Sequence, residues 1–134
     1  MGHRTFIAFA LSLVLSFSAQ AAPSDGPSTA RAWLGLVDRA SYSESWTASS
    51  PMLKGRVSVS QFTEVFKPLR KPLGAVMSRT LSGEQNTKSL PAVPDGNYKI
   101  LTFTTQFSAK KDAIETVILS KENGNWKVAG YFIR

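Results

Sequence analysis

The sequence predicts an α+β domain in which two to three N-terminal helices pack on a four-stranded antiparallel sheet. Three observations point there. Apolar residues recur at helical spacing only between residues 29 and 69, whereas strand-like runs with alternating or β-branched character occupy the chain after Pro72. Asn123-Gly124 lies between two of those runs, and this dipeptide suits the two-residue turn of an antiparallel hairpin. Helices first and strands after exclude the regular alternation of a parallel α/β fold. The 134 residues, 43% hydrophobic and 19% charged, fit one globular domain rather than a disordered or fibrous chain.

The first 21 residues read as a cleaved signal peptide. Basic His3 and Arg4 precede an apolar run from Phe6 to Phe17, and Ala19-Gln20-Ala21 has the small–x–small pattern of a processing site. That run of 12 residues is shorter than the roughly 20 needed to span a bilayer, and no other stretch resembles a span. The expectation is an exported, periplasmic protein beginning near Ala22. The chain contains no Cys, so neither a disulfide nor a lipid-modified cysteine is available, and the core must carry stability. Loss of residues 1–21 also removes the only His and leaves 15 basic against 9 acidic side chains, a net charge of +6.

Residues 22–28, rich in Pro, Gly and Ser, read as a flexible entry, and residues 29–134 as the single domain. Ala30, Trp33, Leu34 and Val37 form the apolar stripe of a first helix, with Ser28 or Thr29 as its cap. Tyr42 and Trp46 share one side of a short second helix from Ser41, which Ser49-Ser50-Pro51 breaks. Residues 54–57 read as a connector. Ser58 and Gln61 fit a capping box ahead of a helix with the stripe Phe62, Val65, Phe66 and Leu69. Pro68 predicts a kink or an end near Lys67, and the helix stops before Pro72.

The first strand is predicted over Leu73–Leu81, followed by a polar loop over Ser82–Ser89 and a stiff turn segment from Pro91 to Gly96. Tyr98–Phe107 alternates, with Leu101, Phe103 and Phe107 on one face. Ile114–Lys121 and Trp126–Ile133 complete the sheet. The turn at Asn123-Gly124 predicts the pairs Lys121–Trp126, Leu119–Val128, Val117–Gly130 and Glu115–Phe132. Both faces of this hairpin are largely apolar, so the face away from the helices should be covered by a loop, a ligand or a second subunit.

Several chemistries are excluded. Without His or Cys, the exported chain has no Ser-His-Asp triad, no Cys-His pair and no ordinary zinc site, and no metal or cofactor is expected. Ser108-Ala109-Lys110-Lys111 matches Ser-x-x-Lys, but it lies in a hairpin turn without the companion motifs that chemistry requires. The acids Asp38, Glu44, Glu64, Asp95 and Glu115 show no spacing that marks a glycosidase pair. Basic residues are spread along the chain without aromatic interleaving, which argues against nucleic acid. An anionic envelope polymer, lipid or acidic protein suits the charge better.

Glu115 is the acid placed inside a strand among apolar neighbours, where it needs a partner, and Arg70 or Arg79 can grip a carboxylate with two bonds. These three, with Tyr98 and Tyr131, are the candidate binding residues. Trp33, Trp46, Trp126, Tyr42 and Tyr131 read first as core aromatics and second as the lining of a cavity.

Ordered blocks of the chain resemble a known family. They are Ala32-Trp33-Leu34 with Asp38 and Tyr42, Ser45-Trp46; Arg70-Lys71-Pro72-Leu73-Gly74 with Ser78-Arg79; Leu90-Pro91 and Pro94-Asp95-Gly96-Asn97-Tyr98; Glu115-Thr116-Val117; and Gly124-Asn125-Trp126-Lys127-Val128 with Gly130-Tyr131. Together they resemble the small exported bacterial domain known as domain-of-unknown-function family 4019, departing from it at Phe62 and Pro68. The resemblance implies a cystatin-like or nuclear-transport-factor-2-like roll and assigns no catalytic residues. The functional expectation is a non-enzymatic envelope module that binds a partner, or a second copy of itself, through an apolar sheet face. The alternatives are a pocket protein or weak enzyme with a cavity between sheet and helices, and an inhibitor or immunity protein against an envelope hydrolase.

Overall fold

The computed structural model describes residues 25–134 and Gly2; the segment read as a signal peptide otherwise lies outside the described residues, as do residues 22–24. Helix α1 spans Gly26–Asp38 and buries Ala30, Trp33, Leu34 and Val37, the stripe its spacing predicts. It starts three residues before the expected point, so residues 26–28 are helical rather than a flexible entry. Asp25, not Ser28 or Thr29, is the cap: its carboxylate accepts the Ser28 N–H at 2.8 Å, and Pro27 sits in the first turn, where its missing donor is harmless.

Four helices form where two to three were expected. After α2 (Tyr42–Ala48), the break at Ser49–Pro51 is also a start. Ser50 caps α3 (Pro51–Arg56) by accepting the Leu53 N–H, and Pro51 takes the first helical position. The connector read over residues 54–57 is therefore mostly helix. Helix α4 (Val59–Arg70) opens with the predicted capping box and runs on through Pro68. The proline removes one donor near the helix end, a loss the last turn tolerates. The buried line of α4 is Phe62, Phe66 and Arg70; Val65 is 61% exposed and Leu69 38% exposed. A 3-10 turn, Lys71–Leu73, leads to the sheet.

The sheet is an antiparallel meander in the order β1-β2-β3-β4: Val76–Thr87, Tyr98–Phe107, Lys110–Glu122 and Asn125–Ile133. Strand β1 starts at Val76 rather than Leu73, which ends the 3-10 turn, and runs on through residues 82–87 of the stretch read as a loop over 82–89. Its polar residues are at home on an edge strand, where β2 supplies the ladder and one side meets solvent. Leu101, Phe103, Thr105 and Phe107 of β2 point to the helices and are buried. The Gly-less turn between β2 and β3 is Ser108-Ala109; just beyond it, at the register shift in the ladder, Asp112 of β3 has φ 53° and donates its N–H to Gln106 Oε1.

Asn123 and Gly124 both have positive φ, as the predicted turn requires. The pairs Lys121–Trp126 and Leu119–Val128 form as expected, and then the register departs. Ala129 is an extra residue on β4, so Ile118 faces Gly130, Val117 faces Tyr131 and Glu115 faces Ile133. The expected pairs Val117–Gly130 and Glu115–Phe132 are not made. A bulge exchanges the two faces of a strand beyond it. Here it turns Tyr131 toward the helices and leaves Phe132 61% exposed.

The core lies between α1, α2, α4 and the inner sheet face. Trp33 is at its centre, with ring centroids 5.5–6.3 Å from Tyr131, Phe62 and Phe66 and its indole N–H shared between the Ser45 carbonyl and Ser49 Oγ. The segment 88–97 folds over one end of the outer face, where Tyr98 is buried and donates to the Pro94 carbonyl at 2.5 Å. Because Ser50 both caps α3 and donates its N–H to Val128 of β4, Ser50→Ala should lose about 1 kcal/mol of stability through the cap alone. Urea unfolding of the variant beside the parent measures it.

Candidate functional site

Side chains from six elements meet at one end of the inner sheet face. Asp38 comes from the last position of α1 and Arg70 from the last of α4. Arg79 projects from β1 beside Thr105 of β2, its partner in the ladder. Glu115 of β3 lies diagonally between Thr105 and Tyr131 on the same face. Both Glu115 oxygens are engaged: Arg79 Nε donates to Oε1 at 2.8 Å, Thr105 Oγ1 donates to Oε1 at 2.5 Å, and the Tyr131 hydroxyl donates to Oε2. Arg79 turns its other two nitrogens to Asp38, at 2.7 and 3.0 Å, and Arg70 Nη2 reaches the same carboxylate at 2.6 Å. Two carboxylates and two guanidinium groups make a neutral chain, and neutrality is what makes its burial tolerable.

The electrostatics follow. Burial alone would raise the Asp38 pKa, but hydrogen bonds from Arg79 and Arg70 outweigh it and hold the carboxyl below its ordinary range. Burial opposes the charge on Arg79, yet its bonds to Asp38 and Glu115 fix the proton more firmly than usual. Burial first, and then the adjacent Glu115 charge, push the Tyr131 phenol well above its normal value. Tyr131 is thus locked as a donor.

Arg70 is the weakly held member. It is 6% exposed, and its Nε and Nη1 have no acceptor among the described residues. Its guanidinium lies 5.1 Å from the Phe107 ring centroid, which supplies some of the missing stabilisation.

Of the five residues singled out from the sequence, the fold gathers Arg70, Arg79, Glu115 and Tyr131. Tyr98 does not join them: it lies on the opposite face beneath residues 94–96, held by its bond to Pro94. Asp38 and Thr105 belong to the cluster but were not picked out as its members. Asp38 directly follows the buried Val37 of α1, a signal that it sits at the core boundary; Thr105 carries no signal beyond its face of β2. Trp33 and Tyr42 enter the aromatic core with Tyr131, whereas Trp46 bonds the Val57 carbonyl and Trp126 lies near Lys99 and Lys121 at the other end. Ser108 occupies the turn between β2 and β3, where its hydroxyl accepts the Ala75 N–H. Among the described residues, no group of three His, Cys, Asp or Glu side chains is placed to hold a metal, and no helix is long and apolar enough to cross a membrane.

The phenol of Tyr131 faces the cluster, and the same residue helps line a groove of about 260 Å³ between α3, α4 and β4. Leu53 and Val57 form one wall, Phe62, Val65 and Phe66 the other, and Ala129 with Tyr131 the floor; Arg56 and Gln61 stand at its polar margin. A cleft of about 280 Å³ lies on the other side of Arg56 and Ala129, lined chiefly by Met52, Leu90, Val93, Ile118 and Phe132. A third, of about 360 Å³, has the charged side chains Asp38, Lys67, Arg70 and Lys71 in its lining.

The fold and this cluster define a small α+β domain organised around a buried ion-pair chain. The family described as "Protein of unknown function (DUF4019)" matches residues 29–131, and the chain belongs to it. No curated protein matches the chain.

Two variants separate the cluster's members. Arg79→Met strands Glu115 and removes two bonds from Asp38, and should lose about 3–5 kcal/mol. Arg70→Met leaves Asp38 paired with Arg79 and removes two unpartnered nitrogens, but leaves the chain one positive charge short, so it should lose less than Arg79→Met, about 1–2 kcal/mol. Chemical denaturation of both provides the comparison. A second test uses pH. Because the folded state keeps the Tyr131 proton above the ordinary phenol value near ~10, the unfolded chain releases it first, and stability falls as pH rises above about 10. Melting temperatures across that range should drop less steeply in Tyr131→Phe.

Proposed function

We propose that this chain is an exported, non-enzymatic binding module of the bacterial envelope that holds a small apolar ligand in the groove between α3, α4 and β4. The observation that carries this reading is the groove itself, with apolar walls and a floor side chain pinned from behind by Glu115. A site whose lining is fixed before the ligand arrives avoids ordering losses on binding. Export is supported by the segment 1–21, with its basic start, apolar run and small–x–small end. The non-enzymatic reading is supported by the engagement of both Glu115 oxygens, each of which already accepts at least one hydrogen bond, and by the complete burial of that carboxylate. The order of helices and meander is compatible with a cystatin-like or nuclear-transport-factor-2-like roll.

Self-association through the outer sheet face is the second reading, favoured by Phe132, which is exposed beside Ile118. An apolar fluorescent dye discriminates between them. Saturable binding to the protein, quenched by Val65→Glu at the groove lip and unchanged by Phe132→Glu, supports the groove. Dependence on Phe132 together with a dimer in sedimentation supports the sheet face, and indifference to both substitutions refutes both readings.

A further inference from the structure

The two apolar clefts share a wall, and that wall carries a charge. Arg56 and Ala129 line both. Arg56 is the one charged residue among the described residues that line either cleft; Gln61 and the Tyr98 and Tyr131 phenols, both already donating elsewhere, are the other polar side chains. A guanidinium has five N–H donors, and Arg56 commits one nitrogen, Nη2, to the Ala92 carbonyl at 2.9 Å. No carboxylate pairs with it among the described residues. The side chain is exposed and therefore accessible from solvent. An unpaired cation on the rim between two apolar hollows complements a ligand with a single anionic end and an apolar body.

Resting on the groove as the binding site, we infer that the ligand is a single-chain fatty acid whose carboxylate meets Arg56 and whose alkyl chain lies in the groove between α3, α4 and β4. A planar carboxylate can take two parallel hydrogen bonds from the guanidinium donors that Arg56 does not use internally. Ala129, the extra residue of the β4 bulge, contributes the small side chain at the point where the two hollows meet. The net charge of +6 that remains after loss of residues 1–21 favours the approach of an anion.

The test compares laurate, dodecanol and dodecyltrimethylammonium, which share a chain length and differ in the head, by titration of the purified protein below micelle-forming concentrations. Laurate should bind most tightly, and affinity should rise along octanoate, decanoate and laurate by at most roughly fourfold per methylene. Arg56→Gln should weaken laurate by about tenfold and leave dodecanol nearly unchanged, while Arg56→Lys restores part of the preference. Circular dichroism of each variant establishes that it folds. Equal binding of all three heads, or no effect of Arg56→Gln on laurate, overturns the fatty-acid assignment and leaves the groove standing. Failure of every probe, dodecanol and the apolar dye included, overturns the groove reading too. Sedimentation with anionic lipid vesicles, without binding of monomeric laurate, overturns it in favour of a membrane surface.

Discussion

The Glu115 carboxylate is completely withdrawn from solvent, and a charge in that position has to be answered from every side. Desolvating an unpaired carboxylate is among the largest penalties a fold can carry. The three donors that meet it come from β1, β2 and β4, so their placement ties three strands to the one between them and ahead of it. Arg79 then extends the chain to Asp38 and so to α1, and Asp38 passes it to Arg70 and α4. One buried charge thereby connects the sheet to the helices that cover it. Hydrophobic contact supplies the bulk of the cohesion, but it is indifferent to small rotations; the ion-pair chain specifies one arrangement.

The bulge at Ala129 belongs to the same constraint. Without it, alternation along β4 would direct Tyr131 to the outer face and Phe132 to Glu115, where a phenyl ring offers no donor. With it, the phenol satisfies Oε2 and the Tyr131 ring packs 5.5 Å from both Trp33 and Phe66. The price appears outside, where Phe132 is left exposed near Ile118. The groove is a product of the same event, since Ala129 and Tyr131 form its floor. Cluster and groove are two sides of one residue: its hydroxyl end is structural, and its ring is available to whatever the groove receives.

Much of this was legible in the amino-acid order. Helical spacing located Ala30, Trp33, Leu34 and Val37, the capping box located the start of α4, and Asn123-Gly124 located the last hairpin, because each is a local pattern with a local cause. The isolation of Glu115 among apolar residues announced a buried ion pair, and Arg79 is one of the two partners chemistry allowed. Local patterns misled where a second cause competed. Ser50-Pro51 reads equally as a break and as a start, and only the cap that Ser50 makes decides for the start. Strand β1 has the composition of a loop because an edge strand takes its hydrogen bonds from a neighbour and has little need of apolar side chains.

Periodicity, capping and turn chemistry act over a few residues, and for that reason the chain's order alone settles the α+β class, the helix stripes, the final turn and the need for a partner at Glu115. Which partners arrive depends on residues 10, 16 and 36 positions from Glu115, namely Thr105, Tyr131 and Arg79, and the chain then spans 41 positions from Arg79 to Asp38 and 32 from Asp38 to Arg70. A one-residue bulge that inverts a strand leaves no distinct mark in composition, since Ala129 fits either register. Only packing, by choosing which aromatic ring can answer a buried carboxylate, selects the register that places Tyr131 inside.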